Sequence, residues 1–132
     1  MSKPVLLVDD DRNSAFMVES MLDFLGVTAD MAENGRVAVD KSAGAGYAAI
    51  LMDIEMPEMD GLDATKAIRA READSGGGAV KIIAMTGHTT AGIKVLCQMA
   101  GMDGILHKPF DLEGLRGTLA EICGGDLDLA EL

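Results

Sequence analysis

Apolar positions along this chain fall into two alternating rhythms. Short, mostly apolar runs appear at Pro4-Val5-Leu6-Leu7-Val8, Tyr47–Met52, Val80–Met85 (with Lys81 inside it) and Gly104–His107, with a weaker one at Val27–Ala32. Runs of this length predict strands buried on both faces. Between them the apolar residues recur every three or four positions. Val18, Met21, Leu22 and Leu25 mark a first helix, which Gly26 ends, and Arg36–Ala43 predicts a second, closed by Gly44 and Gly46. Leu62–Ala73 predicts a third, with Leu62 and Ile68 inward, followed by the loop Asp74-Ser75-Gly76-Gly77-Gly78. Ala91–Ala100 carries Ile93, Leu96, Cys97 and Ala100 on one face and stops at Gly101. Asp111 caps a last helix with Leu112, Leu115, Leu119 and Ile122 inward. Five repeats of strand then helix predict an α/β fold: a doubly wound parallel sheet with right-handed crossovers.

Composition narrows the function classes. A chain of 132 residues with 48% hydrophobic content is one globular domain, and no apolar run reaches the ~20 residues that span a bilayer. Met1-Ser2-Lys3-Pro4 leads straight into a strand too short for a signal-peptide core, so a cytoplasmic location is expected, without membrane insertion. The net charge of −11 argues against direct nucleic-acid binding and favours a cation in any carboxylate-lined pocket. Cys97 and Cys123 fall at apolar helix positions and read as reduced core thiols. Met52, Met56, Met85 and Met99 read as packing. The domain is expected over residues 1–123, with residues 124–132 an acidic tail or the start of a linker.

Each buried run ends in a side chain suited to chemistry. The first delivers Asp9 and Asp10, the third Asp53, the fourth Thr86 and the fifth Lys108. Ligands of open α/β sheets bind beyond the carboxyl ends of the strands. If these strands are neighbours, the five side chains share one pocket. Three carboxylates and no histidine or cysteine select a hard cation such as Mg²⁺. A lysine and a threonine hydroxyl beside it suit phosphoryl oxygens, and a carboxylate can itself be the nucleophile. Taken singly, these residues have plainer readings: acids at a helix start, a β-former at a strand end, a solvated lysine before a proline.

Val8-Asp9-Asp10, the run Met52-Asp53-Ile54-Glu55-Met56-Pro57-Glu58-Met59-Asp60-Gly61, Thr86-Gly87 and Lys108-Pro109-Phe110 together make the chain resemble the receiver domain of two-component response regulators, over residues 4 to 123. Leu51–Arg69 is most similar to the receivers of hybrid sensor kinases. The resemblance implies a flavodoxin-like sheet of order 2-1-3-4-5. It implies that Asp53 is the phosphoacceptor, served by a histidine kinase or histidine phosphotransfer protein. It implies Mg²⁺ held by Asp10 and Asp53, by Asp9 through water and by the backbone carbonyl of Glu55. Thr86 and Lys108 would contact the phosphoryl oxygens, with a cis Lys108–Pro109 bond. A signalling module of this kind catalyses only its own phosphorylation and dephosphorylation. Its downstream protein effector would meet the face of helix four, strand five and helix five; a homodimer is left open.

Three positions depart from the family pattern or bear on it. Ile105 stands where the resemblance leads one to expect Tyr or Phe, so the usual aromatic relay is missing. Glu55 and His88 stand at positions that in the family tune loss of the phosphate. Two rival readings remain open at this level: a phosphorylation-independent module of the same fold, and a phosphatase with an aspartyl-phosphate intermediate. Glu55, two residues beyond Asp53, would be the acid of the latter, but the chain offers no cap domain to enclose a substrate.

Overall fold

The computed structural model describes residues 3–44, 46–56, 59–76, 78–88 and 90–131. Met1, Ser2, Pro57, Glu58, Gly77 and Leu132, named above, lie outside the described residues. Strands β1 (Val5–Val8), β2 (Ala29–Ala32), β3 (Ala49–Asp53), β4 (Lys81–Thr86) and β5 (Gly104–His107) alternate with helices α1 (Arg12–Phe24), α2 (Gly35–Gly44), α3 (Gly61–Ser75), α4 (Ala91–Ala100) and α5 (Leu112–Cys123). All pairings are parallel, as the alternation implies, and the order is β2-β1-β3-β4-β5, as the resemblance implies.

Side-chain alternation along the strands divides the core. Val5, Leu7, Leu51, Ile83 and Leu106 point to the face covered by Val18 and Leu22 of α1 and Leu115 and Leu119 of α5. Leu6, Val8, Ile50, Ile82 and Ala84 point to the other, covered by Ala38 of α2, Ile68 of α3 and Cys97 of α4. Both faces are thus closed, which is why the central strands are apolar without interruption. Each buried leucine or isoleucine contributes about 1.5–3 kcal/mol relative to exposure.

Several boundaries and faces differ from expectation. β3 starts at Ala49 rather than Tyr47, whose hydroxyl turns to donate to Asp30 Oδ2 at 2.6 Å. That bond, with Lys41, holds the Asp30 carboxyl below its usual range, while burial and Asp30 push the Tyr47 phenol up to about 12. On α4 the inward face is narrower than the periodicity suggests. Cys97 and Ala100 are buried, but Leu96 is 50% and Met99 77% exposed, so neither is core filler. The residues after α5 turn through Gly124–Asp126 and lie back on the domain. Leu127 is buried among α1 and α5 residues, and the Ala130 amide donates to the Leu25 carbonyl at 2.9 Å. Cys97 and Cys123 are free and buried, as read from their positions.

One clamp fixes the end of α4 distant from the strand termini. Arg69 of α3 donates to the Gly101 carbonyl (2.9 Å), the Val80 carbonyl (2.8 Å), Glu72 Oε1 (2.7 Å) and Asp103 Oδ2 (2.9 Å). Asp103 Oδ2 also accepts from the Ile82 amide. Arg69→Ala leaves four acceptors, three of them partly buried and Asp103 exposed, without this partner and is expected to cost about 1–3 kcal/mol. Arg69→Lys is expected to recover little, because an ammonium cannot reproduce the planar fork. Urea unfolding midpoints check this; a lysine variant as stable as the parent contradicts it.

Candidate functional site at the carboxyl edge of the sheet

Strand register brings the expected residues together. Val8 of β1 pairs with Met52 of β3, so Asp9 and Asp53 follow side by side at adjacent strand ends. Thr86 ends β4 and pairs with His107 of β5, and the Lys108 amide donates to the Thr86 carbonyl at 2.7 Å. Carboxylate oxygens of Asp9, Asp10 and Asp53 all lie within 4.8 Å of one another. Lys108 Nζ stands 3.3 Å from Asp53 Oδ2, and the Lys108–Pro109 bond is cis.

Asp9 and Asp53 are held by the same local device. The Asp11 amide donates to Asp9 Oδ1 and the Glu55 amide to Asp53 Oδ1, each at 2.9 Å and each two residues on. Such Asx turns fix a carboxylate where a strand gives way to a loop. The Asp11 side chain then caps α1 by accepting from the Asn13 amide. Asp9 is 4% and Asp53 3% exposed, and Asp10 is exposed at the mouth.

The site is short of positive charge. Asp9 Oδ2 is buried and has no hydrogen-bond partner. Burial, reinforced by the neighbouring Asp53 charge and only partly offset by the Asp11 amide and Lys108, pushes its carboxyl up to about 6. An orphaned oxygen, three converging carboxylates and a single ammonium fit a hard divalent cation. In metal-free protein the same arrangement costs stability. Below about pH 4 the Asp9 carboxyl is protonated in both folded and unfolded chains and the cost is absent. As pH rises toward about 6 the unfolded chain ionises first, and stability falls until both forms are ionised. Asp9→Asn is therefore expected to raise metal-free stability at about pH 7 by about 1–3 kcal/mol, with no gain at about pH 4, while weakening Mg²⁺ binding. Urea titrations at the two pH values with a chelator present decide it; equal midpoints at pH 7 sink the idea.

Thr86 and Glu55 are placed differently from the rest of the set. Thr86 is fully buried and its hydroxyl donates to Glu55 Oε1 at 3.0 Å, not toward Asp53. The Gly87 amide donates to the same oxygen at 3.3 Å, and His88 Nε2 stands 3.6 Å from it. Burial opposes ionisation of Glu55, but the Thr86 hydroxyl, the Gly87 amide and the His88 and Lys108 charges prevail, so its carboxyl lies below the usual range. Ile105 is half-buried and packs beside the α4 side of the core.

The resemblance places the Glu55 backbone in the site and its side chain near the attacking water, whereas here that side chain accepts from Thr86 and Gly87. The outer face of α1 is a further feature not expected above: Phe16 is 70% exposed, and Met17 and Phe24 are exposed as well. Phe16 and Phe24 are eight residues apart and off the Val18-Leu22-Leu25 stripe, a helical signal that was legible.

Comparison with known proteins agrees with this geometry. The family model for the response regulator receiver domain matches residues 5–120. Sensor protein GacS of Pseudomonas syringae pv. syringae is 38% identical over 105 residues, 80% of this chain and 12% of that protein. Histidine kinase 5 of Arabidopsis thaliana is 34% identical over 91% of this chain and 16% of its own length. The chain thus spans a small part of these relatives. Among solved structures, the receiver domain of sensor histidine kinase PA1611 from Pseudomonas aeruginosa, with magnesium coordinated in its active-site cleft, superposes with a TM-score of 0.84 at 35% identity, covering 95% of this chain and all (100%) of that one. The receiver domain of Saccharomyces cerevisiae Ssk1, in complex with the histidine phosphotransfer protein Ypd1, gives 0.87 at 28% identity, over 96% of this chain and 94% of its counterpart. Receiver domains are the phosphoacceptor modules of two-component signalling, and the match runs from β1 into α5, so this chain belongs to the response regulator receiver domain family.

Proposed function

We propose that Asp53 is the phosphoacceptor of this receiver and that its donor is the phosphohistidine of a histidine kinase or histidine phosphotransfer protein. The observation that carries the proposal is the placement of Asp53. It is a buried strand-end carboxylate with Lys108 Nζ 3.3 Å from one oxygen and two further carboxylates within 4.8 Å. In the transfer, an Asp53 oxygen forms a bond to phosphorus as the P–N bond of phosphohistidine breaks. The electron pair of that bond stays on the imidazole, which leaves. Lys108 balances charge on the phosphoryl oxygens, and the Thr86 hydroxyl donates to one of them. Asp10 and Asp53, with Asp9 and the Glu55 carbonyl, would hold Mg²⁺, which supplies charge neutralisation when bound. Hydrolysis breaks the new O–P bond, restores the Asp53 carboxylate and releases inorganic phosphate. The module catalyses nothing else.

The downstream surface is α4, β5 and α5, where Val95, Leu96 and Met99 of α4 stand exposed and apolar. Phosphorylation acts there by shifting a population, so the effector must bind the two states differently. The donor is expected to approach over the first turns of α1, beside Phe16 and Met17. Free buried thiols are in keeping with the cytoplasmic location expected from the sequence. Among the described residues no helix is long and apolar enough to cross a membrane.

The test is intact mass after incubation with phosphoramidate and Mg²⁺. One acid-stable, hydroxylamine-labile phosphoryl adduct is expected, abolished by a chelator. Absence of an adduct together with tight binding to a phosphotransfer partner would instead favour a phosphate-independent module.

A further inference from the structure

The Thr86 hydroxyl has one hydrogen bond to donate, and in this structure Glu55 accepts it. Glu55 Oε1 collects the Thr86 hydroxyl at 3.0 Å and the Gly87 amide at 3.3 Å. The acceptor side of the Thr86 hydroxyl is used as well, by the His88 amide at 3.0 Å. A phosphoryl group on Asp53 calls on the same hydroxyl, and a hydroxyl cannot donate its one proton to both oxygens at full strength. Glu55 itself is well anchored. The Ile54 amide before it donates to the Met85 carbonyl, and its own amide donates to Asp53. We propose that the Glu55 side chain is a clasp that holds the segment between β4 and α4 in the resting position, so that phosphoryl occupancy of Asp53 and attachment of this segment to Glu55 exclude one another. Glu55 is here a positioning residue acting through Thr86 and Gly87, and the inference rests on the reading of Asp53 as phosphoacceptor.

The clasp also sets where movement occurs. α4 is tied at both ends, and the ties are unequal. At its far end, Arg69 binds the Gly101 carbonyl and Asp103, and the Asp103 amide donates to the Ile82 carbonyl at 2.7 Å. Ahead of its near end, Thr86 and Gly87 are tied to Glu55, whose side chain is 47% exposed. Hydrogen bonds to a charged acceptor are stronger than neutral ones, but an exposed tie yields before the Arg69 clamp does. Release therefore frees residues 86–95 and leaves 97–103 in place, turning α4 about its Arg69 end and re-aiming Val95 and Leu96.

The experiment uses the full chain with Mg²⁺ and beryllium fluoride as a phosphoryl mimic, comparing the parent with Glu55→Ala and Glu55→Gln. Hydrogen exchange of peptides covering 86–95 and 97–103 is read before any mimic is added, and half-saturation by the mimic is then measured. In Glu55→Ala, exchange in 86–95 is expected to speed up about tenfold with 97–103 unchanged, and half-saturation to fall about fivefold to twentyfold. Glu55→Gln keeps an acceptor oxygen and is expected to lie between. Unchanged exchange in 86–95 overturns the clasp. So does an equal affinity gain in both variants, which would mean that only charge repulsion had been removed. A parent that takes up neither beryllium fluoride nor a phosphoryl group overturns the phosphoacceptor reading and the clasp with it. A parent that takes up both, with Glu55→Ala behaving identically, overturns the clasp alone.

Discussion

Asp53→Asn is expected to abolish the phosphoryl adduct, lowering its yield by a factor of 100 or more, while leaving the fold in place. The substitution is nearly isosteric, and an asparagine oxygen can still accept from the Glu55 amide that now reaches Asp53 Oδ1. What disappears is the carboxylate proposed as the nucleophile. Neither neighbour can stand in for it by geometry alone. Asp9 is turned into its own Asx turn with the Asp11 amide, and Asp10 is exposed, whereas Lys108 Nζ stands beside Asp53. The variant should also be at least as stable as the parent without metal, since one of three crowded carboxylates is gone. Intact mass with phosphoramidate and Mg²⁺, alongside a urea titration, checks both parts. An adduct of undiminished yield in a folded Asp53→Asn protein would move the phosphoacceptor to another residue.

Gly61→Ala is expected to cost about 3 kcal/mol, lowering the thermal midpoint by about 10 °C, and to damage the site at the same time. Gly61 opens α3, behind the Asp60 cap, and packs directly on the end of β3. A Cβ there would collide with the Asp53 carbonyl oxygen, and would lie 2.8 Å from Ile54 Cα and 2.9 Å from Met52 Cγ. Two of these three atoms are backbone at the strand end that carries Asp53, so relief requires moving the strand or the helix. Either displaces Asp53 relative to Lys108, and the rate of adduct formation should fall with stability. Thermal unfolding and phosphoramidate kinetics on one preparation test the pair of effects. A stable Gly61→Ala protein of parental rate would show that α3 can be displaced without cost.

These two residues illustrate what was legible along the chain. Asp53 announces itself because an acid directly after a buried apolar run has few structural excuses, and because Asp9, Asp10, Thr86 and Lys108 each close a strand of the same kind. Gly61 was visible only as a turn residue. Its packing against the Asp53 carbonyl depends on how close α3 comes to β3, which no local pattern specifies.

The sequence by itself determined the strand–helix alternation, the sheet order through its family resemblance, and the identity of the carboxyl-edge residues. The alternation and the strand-end residues follow from side-chain period and from residue type, which are local properties; the sheet order is what the resemblance implies. The tertiary structure alone decided that Leu96 and Met99 face solvent, because the width of α4's buried face depends on its distance from the sheet. It placed the segment after α5 against α1, through Leu127 and the Leu25 carbonyl. It closed the Arg69 clamp across more than thirty residues (|i−j| = 32 and 34). Finally, it turned the Thr86 hydroxyl to Glu55 rather than to Asp53. A rotatable hydroxyl goes to the acceptor whose geometry suits it, and that geometry is set by adjacent strands, not by adjacent residues.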